Sequence, residues 1–259
     1  MIGIVRRVAK GTSEDQKSLT SQASKNPKPI SGEKIRNDQP FADFEREILN
    51  DFQSDNFDAI DRKADKARRE KERFTGGYWK LRIMYGPLFN IYTDGYETEE
   101  MWTTHLEKLK RWKQKSPQSI TARIALAESY TNYGWFARGS GFSNTVADED
   151  SRKLHERLDL AYNELTDAGK LSDKCPEWYE AMLFLAMAEG WDAEDYDKLL
   201  EAAIRFEPDY YYYYYSAAEN SLPRWGGSKG DMEKFAIRIE KVNSKEKDIL
   251  YYLYASPVM

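Results

Sequence analysis

The apolar residues of this chain recur at helical spacing from about residue 41 onward. In segment 116–141, apolar residues follow one another at steps of three, four or seven, which predicts one buried stripe on a helix of about five turns. This stripe consists of Ile120, Ile124, Ala127, Tyr130 and Ala137. Ser116 is the predicted cap and Pro117 the predicted first helical residue. The sequence RGSG at 138–141 should end the helix.

Three further helices are predicted before this one. The first carries Phe41, Phe44, Ile48 and Phe52. The second should be capped by Asn56 and end at Gly76-Gly77, and the third should be capped by Thr98. Between the last two lies a block that is apolar on nearly all sides, YWKLRIMYGPLFNIY, which Pro87 should kink or split after Tyr85.

The same pattern continues downstream. Gly169 and Gly190 are predicted as left-handed helix stops. The predicted caps or first residues of the downstream helices are Asp150 or Ser151, Pro176, Asp192, Pro208, Asp231 and Ser244. No stretch alternates as a strand does, so we expect an all-α array of antiparallel helix hairpins over residues 41–259, as a single domain. Residues 1–40 are polar and predicted to be a flexible tail, with a docking arm as the alternative.

Two segments, PQSITARIALAESY and LLEAAIRFEPDYYYYYY, resemble tetratricopeptide (TPR) helices, which implies a TPR-like superhelical array. Four motifs in order, RFTGGYWKLRIMY, HLEKLKRW, PQSITARIALAESYTNYGWFARGSG and PRWGGS, resemble an uncharacterised bacterial domain family. The second resemblance implies a bacterial origin and the same fold, but it brings no activity, cofactor or partner.

Composition restricts the classes of function. The net charge is −5, and 32% of the residues are charged, which argues against a protein devoted to nucleic-acid backbones. No run is long enough to cross a membrane and the first residues do not form a signal peptide, so we expect a cytoplasmic protein. Cys175 is the only cysteine, which excludes an internal disulfide. No cofactor motif is present.

Two loops that combine arginine with glycine are the first candidate site. Each should follow the first helix of a hairpin, so both should lie at the same edge of the array. Glycine allows close backbone approach, and arginine binds carboxylate or phosphate. The alternative is structural, with glycine forming the turn and arginine bonding a helix-end carbonyl or a glutamate of a neighbouring hairpin. The candidate residues are Arg138, Gly139, Gly141, Arg224, Trp225, Gly226 and Gly227.

Aromatic side chains are the second candidate. The chain has 18 tyrosines, and six are consecutive at 210–215. Such a run must point in all directions around a helix, so most of its rings should pack in the core. One or two should line a concave face, where tyrosine suits peptide recognition. We select Tyr130, Trp135 and Tyr212 as ligand-binding candidates.

The sequence therefore favours a non-enzymatic scaffold that binds a peptide or protein segment on an aromatic concave face. The alternative is an enzyme or a small anionic-ligand-binding protein with its site between the Arg138 and Arg224 loops, with His105 or a carboxylate as the base. No catalytic or metal-binding signature is found, and neither His105 nor His155 has a ligand-like spacing. His105 is interpreted as a packing residue, and Cys175 as a helix-boundary residue.

Overall fold

The computed structural model describes residues 39–93, 96–139, 146–225 and 227–242. These residues form ten α-helices and no strand, so the all-α prediction is confirmed for them. The helices are α1 (Gln39–Gln53), α2 (Phe57–Glu70), α3 (Lys80–Phe89), α4 (Glu99–Lys115), α5 (Ile120–Arg138), α6 (Asp148–Ala168), α7 (Pro176–Glu189), α8 (Ala193–Phe206), α9 (Tyr212–Asn220) and α10 (Asp231–Glu240). The predicted tail before residue 39 and the helix predicted at Ser244 lie outside the described residues.

The helices pack with their neighbours and with their second neighbours along the chain. From α4 to α10 each helix contacts the next one, and α3, α5, α7 and α9 also contact one another in that order. The central helix is α5, which is buried on most of its circumference by α3, α4, α6 and α7. Within the described part of the chain, no helix is both long and apolar enough to cross a membrane.

Several predicted helix ends are confirmed. The Thr98 side chain accepts a hydrogen bond from the Met101 amide, and Asp192 caps α8 in the same way. Pro176 is the first residue of α7, and Gly190 ends that helix at a φ of 66°. Since each of these residues satisfies groups at a helix end, local sequence was sufficient to place them.

The start of α5 differs from the prediction. The helix begins at Ile120, and Ser119 rather than Ser116 is its cap, because the Ser119 hydroxyl accepts from the Ala122 amide at 2.9 Å. The same hydroxyl donates to Asp61 on α2 at 2.5 Å. Ser116 instead ends α4. A contact with another helix therefore decides between two serines that are both suited to capping.

The predicted stop at Gly76-Gly77 was wrong, whereas Gly169 does end α6 but not in the predicted left-handed conformation. Helix α2 ends at Glu70, and Lys71 takes the left-handed conformation, while Gly76-Gly77 form the turn inside an isolated bridge between Arg73 and Trp79. Gly169 has a right-handed φ of −62°. A side chain at Gly169 would place its Cβ 3.2 Å from the Trp178 ring, so this glycine provides space for an indole.

Other predicted boundaries also shift. Helix α3 continues through Pro87 to Phe89 and is not split. Helix α6 begins at Asp148, earlier than predicted. Helix α9 begins at Tyr212 rather than at Pro208. Asn56 does precede α2 as predicted, but its side chain donates to Asp51 and makes no capping bond.

Helix α3 and the residue before it contact parts of the chain that come much later in the sequence. Trp79, just before α3, is fully buried and donates its indole N–H to the Asp209 carbonyl at 3.0 Å. Its ring also contacts Tyr210, with the centroids 5.0 Å apart. Further along α3, Tyr85 reaches Cys175 at the start of α7. This apolar helix therefore lies against α5, α7 and the start of α9, covering part of the face that those helices share.

Ser119→Ala should lower the free energy of unfolding by about 1–2 kcal/mol, because it removes a helix cap and leaves Asp61 without one of its donors. Ser116→Ala is the matched control and should cost less, since Ser116 does not cap α5 and is a weaker partner of Asp61 than Ser119 is. Urea denaturation of the two variants is the measurement. An equal loss in both, or a larger loss for Ser116→Ala, would contradict the assigned helix start.

Candidate functional site

One arginine and three glutamates form a charged cluster between helices α3, α5 and α7. Helix α3 carries Arg82, α5 carries Glu128, and α7 carries Glu177 and Glu180. The Nη1 atom of Arg82 lies 3.3 Å from Glu128 Oε1 and 3.5 Å from Glu180 Oε2, and it donates a hydrogen bond to Glu177. The cluster unites residues up to 98 positions apart in the chain. We call these four residues the Arg82 cluster.

Helix α9 and the turn before it supply further contacts to the Arg82 cluster. The Tyr210 hydroxyl donates to Glu177 Oε2, and Ser216 donates to Glu180 Oε1 at 3.3 Å. The Arg82 guanidinium lies over the rings of Phe89 and Tyr212, at 5.5 and 5.7 Å from their centroids. The cluster is thus held both by hydrogen bonds and by aromatic faces.

Burial alters the titration of the carboxyl groups. Glu177 is fully buried, and this burial raises its pKa to about 7, although Arg82 and Tyr210 act in the opposite direction. Burial, together with the neighbouring Glu177, also raises the pKa of Glu128 well above its usual value. One guanidinium cannot balance three carboxylates in a medium of low polarity, so the cluster holds a proton near neutral pH.

The three glutamates also resemble a metal-ligand set, because their oxygens lie within 4.8 Å of one another. Carboxylate oxygens are suitable ligands for Ca²⁺ or Mg²⁺. The Nη1 atom of Arg82, however, contacts all three glutamates and lies where such an ion would bind. A metal would have to displace the guanidinium, so the residues present do not fit a metal centre.

A cavity of about 110 Å³ lies beside the cluster. Its walls come mainly from α3, α5 and α7 and combine charged, amide and aromatic groups. The lining residues are Arg82, Phe89, Glu128, Thr131, Asn132, Leu165, Glu180, Ala181 and Phe184. Such a volume suits the head group of one side chain, whereas sites for whole small molecules are typically about 300–1,000 Å³.

Two tryptophans beside the described parts of the arginine-glycine loops contact each other. The Trp135 and Trp225 rings are in edge-to-face contact, with centroids 5.6 Å apart, and Arg138 lies over the Trp135 ring at 5.3 Å. Arg224 donates to Glu219 at 2.9 Å, and this glutamate belongs to its own hairpin rather than to a neighbouring one. The indole N–H groups of both tryptophans are buried and make no hydrogen bond.

The glycines of these loops have structural roles where they are described. Gly139 ends α5 at a φ of 72°. A Cβ on Gly227 would lie 2.1 Å from the Ser221 carbonyl oxygen, so only glycine fits there. Gly141 and Gly226 lie outside the described residues.

The three aromatic candidates occupy separate surroundings. Tyr212 is half-buried beside Arg82, and Trp135 lies at the loop edge. Tyr130 is buried on α5 and lines an outer groove of about 320 Å³ between α4 and α6. Within the tyrosine run, residues 210, 211, 213 and 214 are buried. The selected aromatics therefore do not line one common surface.

The histidine and cysteine candidates for chemistry are both packed inside. His105 Nε2 lies 3.3 Å from Ser129 Oγ, and burial lowers the pKa of His105 to about 4. His105 is therefore neutral near pH 7 and is held by packing. The Cys175 thiol is fully buried against Tyr85, and burial raises its pKa.

Sequence reasoning missed the whole Arg82 cluster. Each of its members is a charged residue within a segment whose other residues are mostly apolar, such as Glu177 and Glu180 in PEWYEAMLFLAMAE. Charged side chains are rarely buried without a partner. This placement was the available signal that the four residues would be buried together.

The chain was compared with protein-family models, with curated proteins and with solved structures, and none of them matched.

Proposed function

We propose that this chain is a non-enzymatic binding scaffold that recognises a peptide or protein segment where α3, α5 and α7 meet. The observation that carries the proposal is the cavity beside the Arg82 cluster, which places fixed charges next to the aromatic rings of Phe89 and Phe184. A few oriented polar groups among apolar walls are typical of a recognition site. Tyr212, which borders the cluster, is the aromatic candidate best placed to take part.

A TPR-like superhelical array is part of this proposal. Support comes from the packing of consecutive helices from α4 to α10 and from the additional contacts among α3, α5, α7 and α9. Stacked hairpins make these contacts, and their first helices face a bound segment. Since α3 covers part of that face, we propose that the segment binds at the remaining opening beside Phe89 and Phe184 and not along the tyrosine run.

The burial and the hydrogen bonds of the carboxyl groups favour binding over catalysis. A general acid or base must reach the reacting group, at about 3 Å or through one water. Glu177, whose pKa is raised to about 7, is fully buried and already bonded to Arg82 and Tyr210. Its perturbed pKa is thus explained by packing.

An enzyme or a small anionic-ligand-binding protein with its site between the Arg138 and Arg224 loops is the second candidate. The contact between Trp135 and Trp225 favours it, because their two buried indole donors and the guanidinium of Arg138 lie at one edge. Succinate and phosphate should then quench tryptophan fluorescence in a saturable way, and Trp225→Phe should weaken the response. No saturable change with either anion would exclude this candidate for these ligand classes.

The origin, the cellular location and the partner of the protein can also be proposed. We propose a bacterial, cytoplasmic protein of the uncharacterised domain family that its four motifs resemble, with a protein or peptide partner and no nucleic-acid partner. The free, buried thiol of Cys175 and the net charge of −5 are compatible with this assignment.

Selection of a displayed random-peptide library on the full chain tests the leading proposal. Binders should lose at least about tenfold in affinity, or about 1.4 kcal/mol, with Phe184→Ala, which removes a cavity wall. Phe206→Ala is the matched control, because Phe206 is 40% exposed and lies on α8, away from the cavity. Fluorescence anisotropy measures both affinities. Failure to select any peptide, or equal binding by both variants, would refute the proposal.

A further inference from the structure

The Arg82 cluster has more negative than positive charge. If all of its groups were ionised, three carboxylates would face one guanidinium, and the cluster would carry a net charge of −2. Tyr210 and Ser216 donate hydrogen bonds to it but supply no charge. Buried charge of one sign is costly unless it is neutralised by a proton or by a second cation.

Glu128 is the member of the cluster with a vacant acceptor. Its side chain keeps only 11% of its surface exposed, and its buried Oε2 accepts no hydrogen bond. Neighbouring walls offer further oxygens. Thr131 already donates its proton to the Ala127 carbonyl at 3.2 Å, and the Asn132 amide nitrogen donates to Asn90, which leaves lone pairs on both side-chain oxygens. Apart from the guanidinium of Arg82, which already binds Glu128 and Glu180, these walls therefore offer more acceptors than donors.

The apolar walls also suit a cation. Phe89 lines the cavity and already faces one guanidinium, that of Arg82. Phe184 lines the same cavity and is partly buried. Aromatic faces attract ammonium and guanidinium groups, and the attraction grows when the pair is withdrawn from water.

We infer that the cavity receives the cationic head of a lysine or arginine side chain from the bound segment. This inference rests on the proposed function and specifies which chemical group of the bound segment the scaffold recognises. The cavity volume of about 110 Å³ is sufficient for one such head group. Entry of the cation gives the cluster two positive charges against three negative ones, so the cluster releases its shared proton to solvent as the ligand binds.

Capped single residues test this inference directly. We expect saturable amide chemical-shift changes with N-acetyl-lysine methylamide or N-acetyl-arginine methylamide. The uncharged N-acetyl-norleucine methylamide should bind at least tenfold more weakly. Titration in unbuffered solution near pH 7 should show protons released in proportion to the sites filled. Equal binding of norleucine, or binding without proton release, would overturn the inference.

Two variants and a control complete the design. Glu128→Gln should weaken binding of the cation at least tenfold and abolish proton release, while Phe184→Leu, which leaves the carboxylates intact, should weaken binding several-fold. Glu201→Gln makes the same chemical change on an exposed face of α8 and should leave binding unchanged. Should Glu128→Gln fail to fold, Phe184→Leu still tests the inference. Unchanged binding of the cation by Phe184→Leu would show that the cavity is not its binding site.

The outcomes also separate the two proposals. Library peptides that need the Phe184 wall but show no enrichment of lysine or arginine would overturn the inference and leave the scaffold intact. Capped lysine that binds with proton release, while no peptide is selected, would support the cation site and refute the peptide scaffold.

Discussion

Arg82→Met is expected to lower the free energy of unfolding by about 3–5 kcal/mol, because it leaves three carboxyl groups buried without their cation. The cost should shrink as the pH falls, since protonated glutamates no longer repel one another. Chemical denaturation at pH 5 and pH 8 measures both effects. Adding Glu177→Gln to Arg82→Met should recover part of the loss, because the double variant buries one charge fewer.

Arg205→Met is the control for this experiment. Arg205 is 71% exposed and forms a long ion pair with Glu201 within one helix, so its loss should change stability by no more than about 0.5 kcal/mol. If Arg82→Met costs as little as Arg205→Met, the Arg82 cluster does not hold α3 against α5 and α7.

Glu177→Gln should change how stability depends on pH. Burial raises the pKa of Glu177 to about 7 in the folded protein, whereas an unfolded glutamate has a pKa of about 4.3. A group whose pKa rises on folding contributes stability that is complete below the unfolded pKa and is lost as pH rises through the folded one. The free energy of unfolding of the wild type minus that of Glu177→Gln should therefore fall between about pH 4.5 and 7, by at most about 1.4 kcal/mol per pH unit for one proton.

Subtracting the free energy of unfolding of Glu177→Gln from that of the wild type removes the contributions of the other titrating groups. Lysine contacts lower the pKa of Asp55 and Glu72, so these residues make the protein less stable as pH falls, which is the opposite sign. Glu201→Gln serves again as the exposed counterpart. A difference that stays level or increases with pH would contradict a shared proton in the cluster.

The helices could be predicted because each has an apolar face and local end signals. Thr98, Asp192 and Gly190 act through groups within a few residues, so their roles follow from the sequence alone. Ser116 and Ser119 could not be separated in this way, since the choice between them depends on Asp61, 58 positions from Ser119. The role of Gly169 similarly depends on the distant edge of the Trp178 ring.

The candidate site could not be predicted because its members meet only after the helices pack. Arg82 and Glu180 are 98 positions apart, and neither belongs to a motif. A partial signal was present in α7, where apolar residues occupy all sides and leave no exposed face for Glu177 or Glu180. A buried glutamate on α7 would have indicated that a cationic side chain pairs with it, but not which arginine that is.

The hydrogen bond from Trp79 to Asp209 has a consequence for how the molecule unfolds. In an open solenoid, a terminal repeat can fray independently because it touches only its neighbour. Here an early segment is tied to one 130 positions later. Opening of either segment then exposes the Trp79 indole and the Tyr210 ring, which couples the segment before α3 and the turn before α9 into one cooperative unit. Closing so long a loop also makes the folding rate more sensitive to chain topology than in a helical array with open ends.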